Sequence, residues 1–262
     1  LQKSDLIILA ARPSMGKTTL ALDIARQAAM NQGTPTVIFS LEMSTQQLVD
    51  RLLGAESKVN AWNLRTGNLS AEAEFTKIRD SLDRLSKAPI FVDDMAGNSI
   101  VRMRSVCRRI RAEHGIGLIV VDYLQLMSTS KNFDSMVNQV TEISRSLKAL
   151  AKEFDVPVIA LSQLSRAVES RGGRPRLSDL RDSGSIEQDA DIVMFIHSED
   201  KGKDEQEHTN ITEILIEKHR NGPVGKVDLY FDKKSATFMS IEKTNVNQFA
   251  SAFSDKGSFD QF

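Results

Sequence analysis

The sequence predicts an α/β protein in which helices flank a mostly parallel central sheet. Short runs of β-branched residues alternate with helical patterns up to about residue 197, which is typical of a parallel sheet covered on both faces. The later apolar runs are joined through Asn221-Gly222-Pro223 and predict an antiparallel hairpin that extends this sheet at its edge. With 262 residues, 40% of them hydrophobic, the chain is large enough to form one domain of this kind.

The individual elements follow from hydrophobic spacing and from the turn residues that bound each run. Strands are predicted at about residues 6–10, 36–40, 90–93, 118–122, 157–162, 191–197, 211–219, 224–231 and 236–241. Helices are predicted at about residues 16–31, 44–54, 70–87, 99–113 and 136–154. The last helix has the clearest pattern, with apolar side chains at three- and four-residue steps: Met136, Val140, Ile143, Leu147, Leu150 and Phe154.

The predicted domain boundary lies close to the end of the chain. Residues 1–243 are assigned to one domain, and the polar segment 244–262 has scattered phenylalanines without periodicity. This composition predicts a flexible tail or a docking peptide. Only five residues precede the first predicted strand, so we expect this domain to be part of a longer protein.

Composition and charge exclude several classes of protein. No apolar stretch is long enough to span a bilayer and no signal-like segment opens the chain, so we expect a soluble cytoplasmic protein without membrane contact. The single cysteine, Cys107, allows neither an internal disulfide nor a cysteine-based metal site, and is expected to be a packing thiol on a helix. The net charge of −1 gives no indication in favour of nucleic acid.

A phosphate-binding loop is the most informative feature of the sequence. The run from Ala11 to Thr18 follows an apolar strand and precedes an apolar helical pattern, which is the arrangement of a P-loop. Backbone N–H groups of such a loop surround phosphates, Lys17 reaches the β- and γ-oxygens, and Thr18 offers a hydroxyl to Mg²⁺. Ala11 replaces the first consensus glycine, which fits if φ is negative there. The residues predicted to bind the nucleotide are Arg12, Pro13, Ser14, Met15, Gly16, Lys17, Thr18 and Thr19.

Two further predicted strands end in carboxylates. Asp122 follows an apolar run and suits an aspartate that holds Mg²⁺ beside Thr18, or else a turn or helix N-cap residue. Glu42 follows another buried-strand pattern and suits a base that orients an attacking water, or else the first-turn acid of the helix that begins near Ser44. Spacing alone leaves both alternatives open.

A succession of motifs adds a family resemblance. The motifs are 11–18 (ARPSMGKT), 40–44 (SLEMS), 121–126 (VDYLQL), 160–166 (ALSQLSR), 180–191 (LRDSGSIEQDAD) and 218–225 (KHRNGPVG). Together, and in this order, they closely resemble the C-terminal motor domain of bacterial and phage replicative DNA helicases of the DnaB type. The resemblance covers about residues 1–242 and implies a RecA-like P-loop NTPase fold. It does not include the N-terminal, primase-contacting domain of that family.

The resemblance implies roles for four side chains near the P-loop. It implies that Glu42 is the water-activating base and Asp122 the metal aspartate. It also implies that Gln163 senses the γ-phosphate and relays its presence to the DNA loops. A buried glutamine that satisfies backbone groups at a strand end is the alternative for Gln163. Arg51 matches a position whose guanidinium packs on the nucleotide base in relatives, with a solvated helix arginine as the alternative.

Lys218 and Arg220 are candidates for a site shared between subunits. Strand alternation places both cations on one face and His219 on the other. We expect this hairpin to lie far from the P-loop of its own subunit. The resemblance implies that the pair is a lysine and arginine finger that reaches the γ-phosphate bound by the adjacent subunit. The alternative is a pair of charges that protects an edge strand from aggregation.

A basic loop is the candidate for DNA contact. The segment from about Ser165 to Gly184 is long for a connection and contains glycines. Its basic residues are Arg166, Arg171, Arg174, Arg176 and Arg181. The resemblance points to four residues that contact the phosphates of single-stranded DNA: Arg166, Asp182, Ser183 and Gly184. No aromatic residue lies among the basic ones, so binding independent of sequence is expected. The basic helix from Arg102 to Arg111 is left unassigned.

The resemblance as a whole implies an ATP-dependent DNA helicase. It implies ATP or another NTP with Mg²⁺, a homo-hexameric ring on single-stranded DNA, and a helicase loader and a primase as further partners in a bacterial cell or during phage replication. Two other classes stay open. One is a RecA-like ATPase of strand-exchange or signalling type without unwinding, and the other is a module whose assembly is switched by nucleotide.

Overall fold

The computed structural model describes residues 1–69, 72–129, 135–164, 173–183, 186–200 and 208–241. The strands in these residues are β1 Leu6–Ala11, β2 Thr36–Ser40, β3 Ile90–Asp93, β4 Leu118–Asp122, β5 Val158–Gln163, β6 Ile192–His197, β7 Ile211–His219, β8 Gly225–Asp232 and β9 Thr237–Ser240. They form one nine-stranded sheet in the order β3-β2-β4-β5-β1-β6-β7-β8-β9.

The sheet is parallel from β3 to β6 and antiparallel from β6 to β9. This confirms the predicted α/β class with an antiparallel C-terminal extension. Over residues 213–216 the strand β7 is paired on both sides, with β6 and with β8, whereas Lys218 pairs with β6 alone and Arg220 follows the strand. The outer strand of the extension is β9, so the alternative that Lys218 and Arg220 protect an edge strand concerns only the end of β7, and it stays open.

Helices cover both faces of the sheet. They are α1 Lys17–Gln32, α2 Thr45–Ser57, α3 Ala61–Thr66, α4 Glu72–Lys87, α5 Ile100–His114, α6 Met136–Phe154 and α7 Ile186–Asp189, with 3₁₀ helices at Leu124–Leu126 and Leu177–Ser183. In the described part of the chain, no helix combines the length and the apolar character that crossing a membrane requires.

The predicted helices and strands are present, with ends that differ by up to about three residues. The helix predicted from residue 70 is described from Glu72. The short helices α3 and α7 were not predicted, because four to six residues are too few to show a hydrophobic period. The predicted tail, 244–262, lies outside the described residues.

Two hydrophobic layers enclose the sheet. Successive residues of the fully buried strand β1 alternate between them, since side chains on a strand point to opposite faces. Leu6 and Ile8 pack with α5 and α6 on one face, whereas Ile7 and Leu9 pack with α1 and α2 on the other. Burial on both faces explains why the strands are almost continuously apolar.

The parallel strands define two ends of the sheet. Their C-terminal residues lie at what we call the P-loop end, which is where Ala11 and Asp122 are found. Because β7 runs antiparallel, its last residue, His219, pairs with Ile192 at the start of β6, at the opposite end. The two ends are one strand apart, which is about 20 Å for the six residues of β1.

A buried aspartate fastens the antiparallel extension to the helix that follows the P-loop. Asp23 of α1 accepts hydrogen bonds from the Thr237 hydroxyl at 2.9 Å, from the Phe238 backbone N–H at 2.7 Å and from Arg26 at 3.0 Å. Its side chain is 8% exposed, so the charge is balanced by these donors rather than by water. The start of β9 is thereby held against α1.

Candidate nucleotide-binding site

The P-loop connects the central strand β1 to α1. Ala11 is the last residue of β1, so it has the negative φ that a residue other than glycine requires there. Gly16 caps α1 with φ 81°, and an added Cβ would lie 3.0 Å from the Phe238 ring. Both the backbone conformation and the space at this position therefore require glycine. Ser14 also has a positive φ, 66°.

Thr18 and Asp122 meet directly at the P-loop end. The Thr18 hydroxyl donates to Asp122 Oδ2 at 2.7 Å, and Asp122 is only 2% exposed. Burial raises the pKa of Asp122, and the hydrogen bond from Thr18 and the positive charge of Lys17 oppose this rise. The carboxylate is directed at Thr18, and the 3₁₀ helix that follows has no side-chain cap.

The same pair has the donor atoms that Mg²⁺ prefers. Among the described residues, the second carboxylate oxygen of Asp122, Oδ1, is buried and has no hydrogen-bond partner. Mg²⁺ takes oxygen ligands, commonly one or two protein groups together with water and phosphate. A buried oxygen without a partner beside a threonine hydroxyl fits that requirement, so these residues suit the ion.

Lys17 lies beside the two carboxylates and over an aromatic ring. Its ammonium is 4.6 Å from the centroid of the Tyr123 ring, a cation–π distance. Burial lowers the pKa of Lys17, and the charges of Asp122 and Glu42 offset part of that effect. Tyr123 was not predicted as a site residue. Its position directly after Asp122 was the only signal available in the sequence.

Glu42 lies in the bend between β2 and α2, outside the helix. Ser44 caps α2, and a reciprocal capping box joins Ser44 and Gln47. The first turn of α2 contains no acid, so the alternative that Glu42 is a first-turn residue is wrong. Its exposed carboxylate contributes to raising the pKa of Tyr123, after burial, and is therefore close to the Lys17 and Tyr123 pair.

Gln163 lies next to the start of the P-loop. It ends β5 and pairs in register with Ala11 of β1. Its side chain is exposed, which is inconsistent with the alternative of a buried glutamine. Gln125, which was not predicted, donates from its amide to the Ser162 hydroxyl at 3.0 Å and to the Gln163 carbonyl at 3.3 Å. Gln125 thus connects the segment after Asp122 to the end of β5.

The remaining predicted nucleotide contacts lie around the same loop. The Arg51 guanidinium is 3.5 Å from the Thr19 hydroxyl, which places this α2 residue over the start of α1. A cavity of about 180 Å³ adjoins the loop on the side of the antiparallel extension. Its lining includes Pro13, Ser14, Met15 and Phe231.

Lys218 and Arg220 lie at the opposite end of the sheet. The Lys218 ammonium donates to the Glu187 carbonyl at 2.6 Å, and the Arg220 guanidinium donates to the Gln188 carbonyl at 3.2 Å. Both side chains therefore extend toward α7, although β7 ends at His219 and Arg220 is the first residue after it. The distance of one strand between the two ends prevents either cation from reaching the P-loop of its own chain.

The predicted DNA contacts are only partly within the described residues. Arg166 and Gly184 lie outside them. Asp182 and Ser183 are the last residues of the 3₁₀ helix Leu177–Ser183, which lies within the segment predicted as the basic loop. Arg174 from that loop makes a two-point ion pair with Glu213 of β7, at 2.6 and 2.8 Å. It is therefore engaged within its own chain.

These features define a class of protein. A P-loop after the central strand of a parallel sheet, with an acid at the end of a nearby strand, is the site of a P-loop NTPase with a RecA-like fold. Residues 1–240 match the family model described as the DnaB-like helicase C terminal domain, and the chain belongs to this family. The resemblance stated from the motifs is thus confirmed.

Curated proteins and solved structures agree with this assignment. The chain is 52% identical over 244 residues to the replicative DNA helicase DnaB of Geobacillus stearothermophilus, and 51% identical to the replicative DNA helicase DnaC of Bacillus subtilis. Each match covers 92% of this chain and 54% of the relative, so the chain spans about half the length of these relatives.

Two solved structures share the fold, each with a TM-score of 0.88 at 40% identity over 92% of this chain. One is described as an ATPase domain, of which 86% is covered. The other is a DnaB-like replicative helicase described with its interactions with primase, of which 58% is covered.

Proposed function

We propose that this chain is the ATP-hydrolysing motor domain of a replicative DNA helicase that works as a homo-hexameric ring. The observation that carries the proposal is the contact between Thr18 and Asp122, at 2.7 Å, beside the partly buried Lys17. This contact brings the end of β4 to the P-loop in a chain of the DnaB-like family. Hydrolysis of ATP at this position would drive translocation on single-stranded DNA and separation of the duplex.

Each residue at the P-loop end has a task in this proposal. Thr18 and Asp122 would hold Mg²⁺, which neutralises charge on the phosphate oxygens when bound. Lys17 leaves the Tyr123 ring to bind the β- and γ-phosphates, and Glu42 orients the attacking water. Gln163, which pairs with Ala11 at the start of the P-loop, would contact the γ-phosphate. Arg12 to Met15 and Thr19 complete the phosphate contacts.

The nucleoside part of ATP has two candidate positions. The cavity of about 180 Å³ adjoins Pro13 and Ser14 and provides the face of Phe231 for a base. Arg51, on the α2 side, provides a guanidinium for stacking near Thr19. If the base stacks on Arg51, the Arg51→Ala variant should have a higher KM for ATP. If the base enters the cavity, the Phe231→Ala variant should show this increase instead.

The separation of the two ends supports assembly into a ring. The finger pair, Lys218 and Arg220, lies one strand away from its own P-loop, so it can complete only a site on a neighbouring subunit. In a closed ring of identical subunits the same head-to-tail interface is repeated at every position. Each finger pair is then placed against the P-loop of the next subunit. The charge supplied in trans would stabilise the transition state of phosphoryl transfer.

Single-stranded DNA is the proposed track. Its phosphates would be held by the charge of Arg166 and by backbone N–H groups of Asp182, Ser183 and Gly184. No base would be read. A primase is a further proposed partner, because one solved relative is described with its interactions with primase. A helicase loader is proposed on the family resemblance alone.

The proposal is tested with the Lys17→Ala variant of the whole chain. We expect it to remain folded, to lose ATP hydrolysis stimulated by single-stranded DNA, and to lose unwinding of a forked duplex. Lys87→Ala is the matched control, because Lys87 is an exposed lysine of α4 whose ion-pair partner, Asp83, is also exposed. Retained hydrolysis in Lys17→Ala would contradict the assignment of the P-loop.

Other outcomes distinguish the remaining classes. Hydrolysis without fork unwinding by the unaltered protein would favour a strand-exchange or signalling ATPase. Nucleotide-dependent assembly without turnover would favour an assembly module. Negative-stain images with nucleotide and DNA show directly whether the particle is a six-membered ring.

A further inference from the structure

The guanidinium of Arg220 is held by a buried carboxylate of its own chain. Arg220 Nη1 lies 3.1 Å from Asp191 Oδ1, and the two residues are also joined through the backbone, where Arg220 N donates to the Asp191 carbonyl at 2.8 Å. The Arg220 side chain is 49% exposed, whereas that of Asp191 is 4% exposed. One side of the guanidinium is thus anchored and the other faces outward.

Asp191 is itself fixed in place. Its Oδ2 accepts the backbone N–H of Leu6 at 2.8 Å and also accepts the Lys148 ammonium. Burial alone would raise the pKa of Asp191, but the hydrogen bonds from Lys148 and Leu6 and the positive charges outweigh it and lower the pKa. The carboxylate therefore stays ionised and immobile at the start of the sheet, beside β1.

The end of α7 provides the second support. The carbonyls of Glu187 and Gln188, close to the C-terminus of this helix, accept from Lys218 and Arg220. Carbonyls at a helix end lack partners within the helix and attract cations. The short helix is in turn tied to α6, where the Ser144 hydroxyl donates to Asp189 at 2.5 Å. Arg220 is thus held at two points, both attached to the core.

We propose that Asp191 is a positioning residue for Arg220, and that this anchor presents the guanidinium to the neighbouring subunit. This inference rests on the proposed function, because the proposed ring gives Arg220 a nucleotide site on the neighbouring subunit. A free arginine side chain loses conformational entropy when it is fixed. Asp191 and the Gln188 carbonyl fix it beforehand with two of the five N–H donors that arginine has, and the others remain for phosphate.

The first test is the Asp191→Asn variant in the whole protein. We expect kcat for ATP hydrolysis to fall roughly 10- to 100-fold with little change in KM, because the finger is misplaced while the P-loop of every subunit is intact. Lys148→Met is the matched control, since it removes the other cation on Asp191 and leaves Arg220 paired. A control with the same loss of kcat would show that Asp191 acts only through general stability.

A second variant keeps the test valid if Asp191→Asn fails to fold. The double variant Asp191→Asn with Lys148→Met removes this ion pair as a unit, so neither of its members is left without the other. We expect it to fold and to retain the kcat defect. A folded double variant with normal kcat would overturn the proposal.

Mixed rings give a result that a purely structural role would not produce. Asp191→Asn subunits and Lys17→Ala subunits carry different tags, and only rings purified through both tags are assayed. In such a ring, the unaltered P-loop of an Asp191→Asn subunit can border a Lys17→Ala subunit, whose finger is well placed. Hydrolysis should therefore exceed the sum of the activities of the two separate variants. Rings that mix Asp191→Asn with Arg220→Ala have no well-placed finger and should show no recovery.

A parallel mixture separates this inference from the proposed function. Rings that combine Arg220→Ala with Lys17→Ala should also recover hydrolysis if the finger acts in trans. Recovery there but not with Asp191→Asn would refute the positioning role and leave the finger intact. Failure of both mixtures would refute action in trans itself.

Discussion

The two ends of the sheet differ in whether their polar side chains already have partners within the chain. At the P-loop end, side chains from three neighbouring segments meet within one chain and keep unused capacity for a ligand, such as the buried Oδ1 of Asp122. At the opposite end, Lys218 and Arg220 already have partners in their own chain and extend outward. The first end thus keeps an open position for a ligand, whereas the role we propose for the second end depends on a neighbouring subunit.

This difference explains why one end was easier to derive from the sequence. Residues of the P-loop end follow strands directly, so parallel topology brings them together. Residues of the opposite end have no P-loop of their own chain within reach, so the role proposed for them depends on an interface.

Arg220→Ala should lower kcat for ATP hydrolysis by roughly 10³- to 10⁵-fold, the range measured for arginine fingers. The loss arises because no other group replaces the guanidinium at the neighbour's transition state. Steady-state hydrolysis with single-stranded DNA measures it, and nucleotide binding should be nearly unchanged. Arg79→Ala is the control, since Arg79 is an exposed arginine of α4 whose side chain is 79% exposed. A kcat close to that of the unaltered protein would remove the distinction between the two ends.

Glu42→Gln should leave nucleotide binding nearly intact and lower turnover by about 10²- to 10⁴-fold, the usual contribution of a general base. The amide keeps the shape of the side chain but cannot accept a proton from water. Single-turnover hydrolysis and a binding titration measure the two quantities separately. Glu113→Gln, an exposed substitution at the end of α5, should change neither. Equal losses of binding and turnover would instead assign Glu42 a structural role.

Asp23→Ala should destabilise the protein by about 3–5 kcal/mol, as removal of one partner from a buried charged network typically does. It leaves the Thr237 hydroxyl and the Phe238 N–H without their acceptor and Arg26 with one carboxylate fewer. Urea denaturation measures the change. Asp83→Ala breaks an exposed pair with Lys87 and should cost less than about 1 kcal/mol. Similar losses in both variants would mean that the extension is not held to α1 through Asp23.

Cys107 should not react with a thiol reagent in the native protein. It is 0% exposed, and burial, with a contribution from Glu153, raises the pKa of its thiol from about 9 to about 12. A thiol reagent at pH 8 should therefore label it only after denaturation. The raised pKa also means that its contribution to stability is complete below pH 9 and is lost as the pH rises toward 12. Rapid labelling of the folded protein would contradict this burial.

Much of the fold could be derived from local patterns. The strand that begins at Leu6 and the strand that ends at Asp122 were recognisable in the sequence. Strands buried on both faces need almost continuous apolar residues. The helix α3 was missed, although Asn60 and Gly67 mark its ends, because its short length shows no period. Gln125 was missed as well, since its contact with Gln163 joins residues 38 positions apart.

Chain order alone predicts the residues of the P-loop end. A P-loop needs consecutive residues, and the acids that serve it stand at strand ends, so Lys17, Thr18 and Asp122 are marked by chain order alone. Only the tertiary structure decided that Asp122 meets Thr18, that Glu42 lies outside α2 and that Asp191 anchors Arg220. These depend on strand order and register, which bring together groups distant along the chain through packing that no local pattern records.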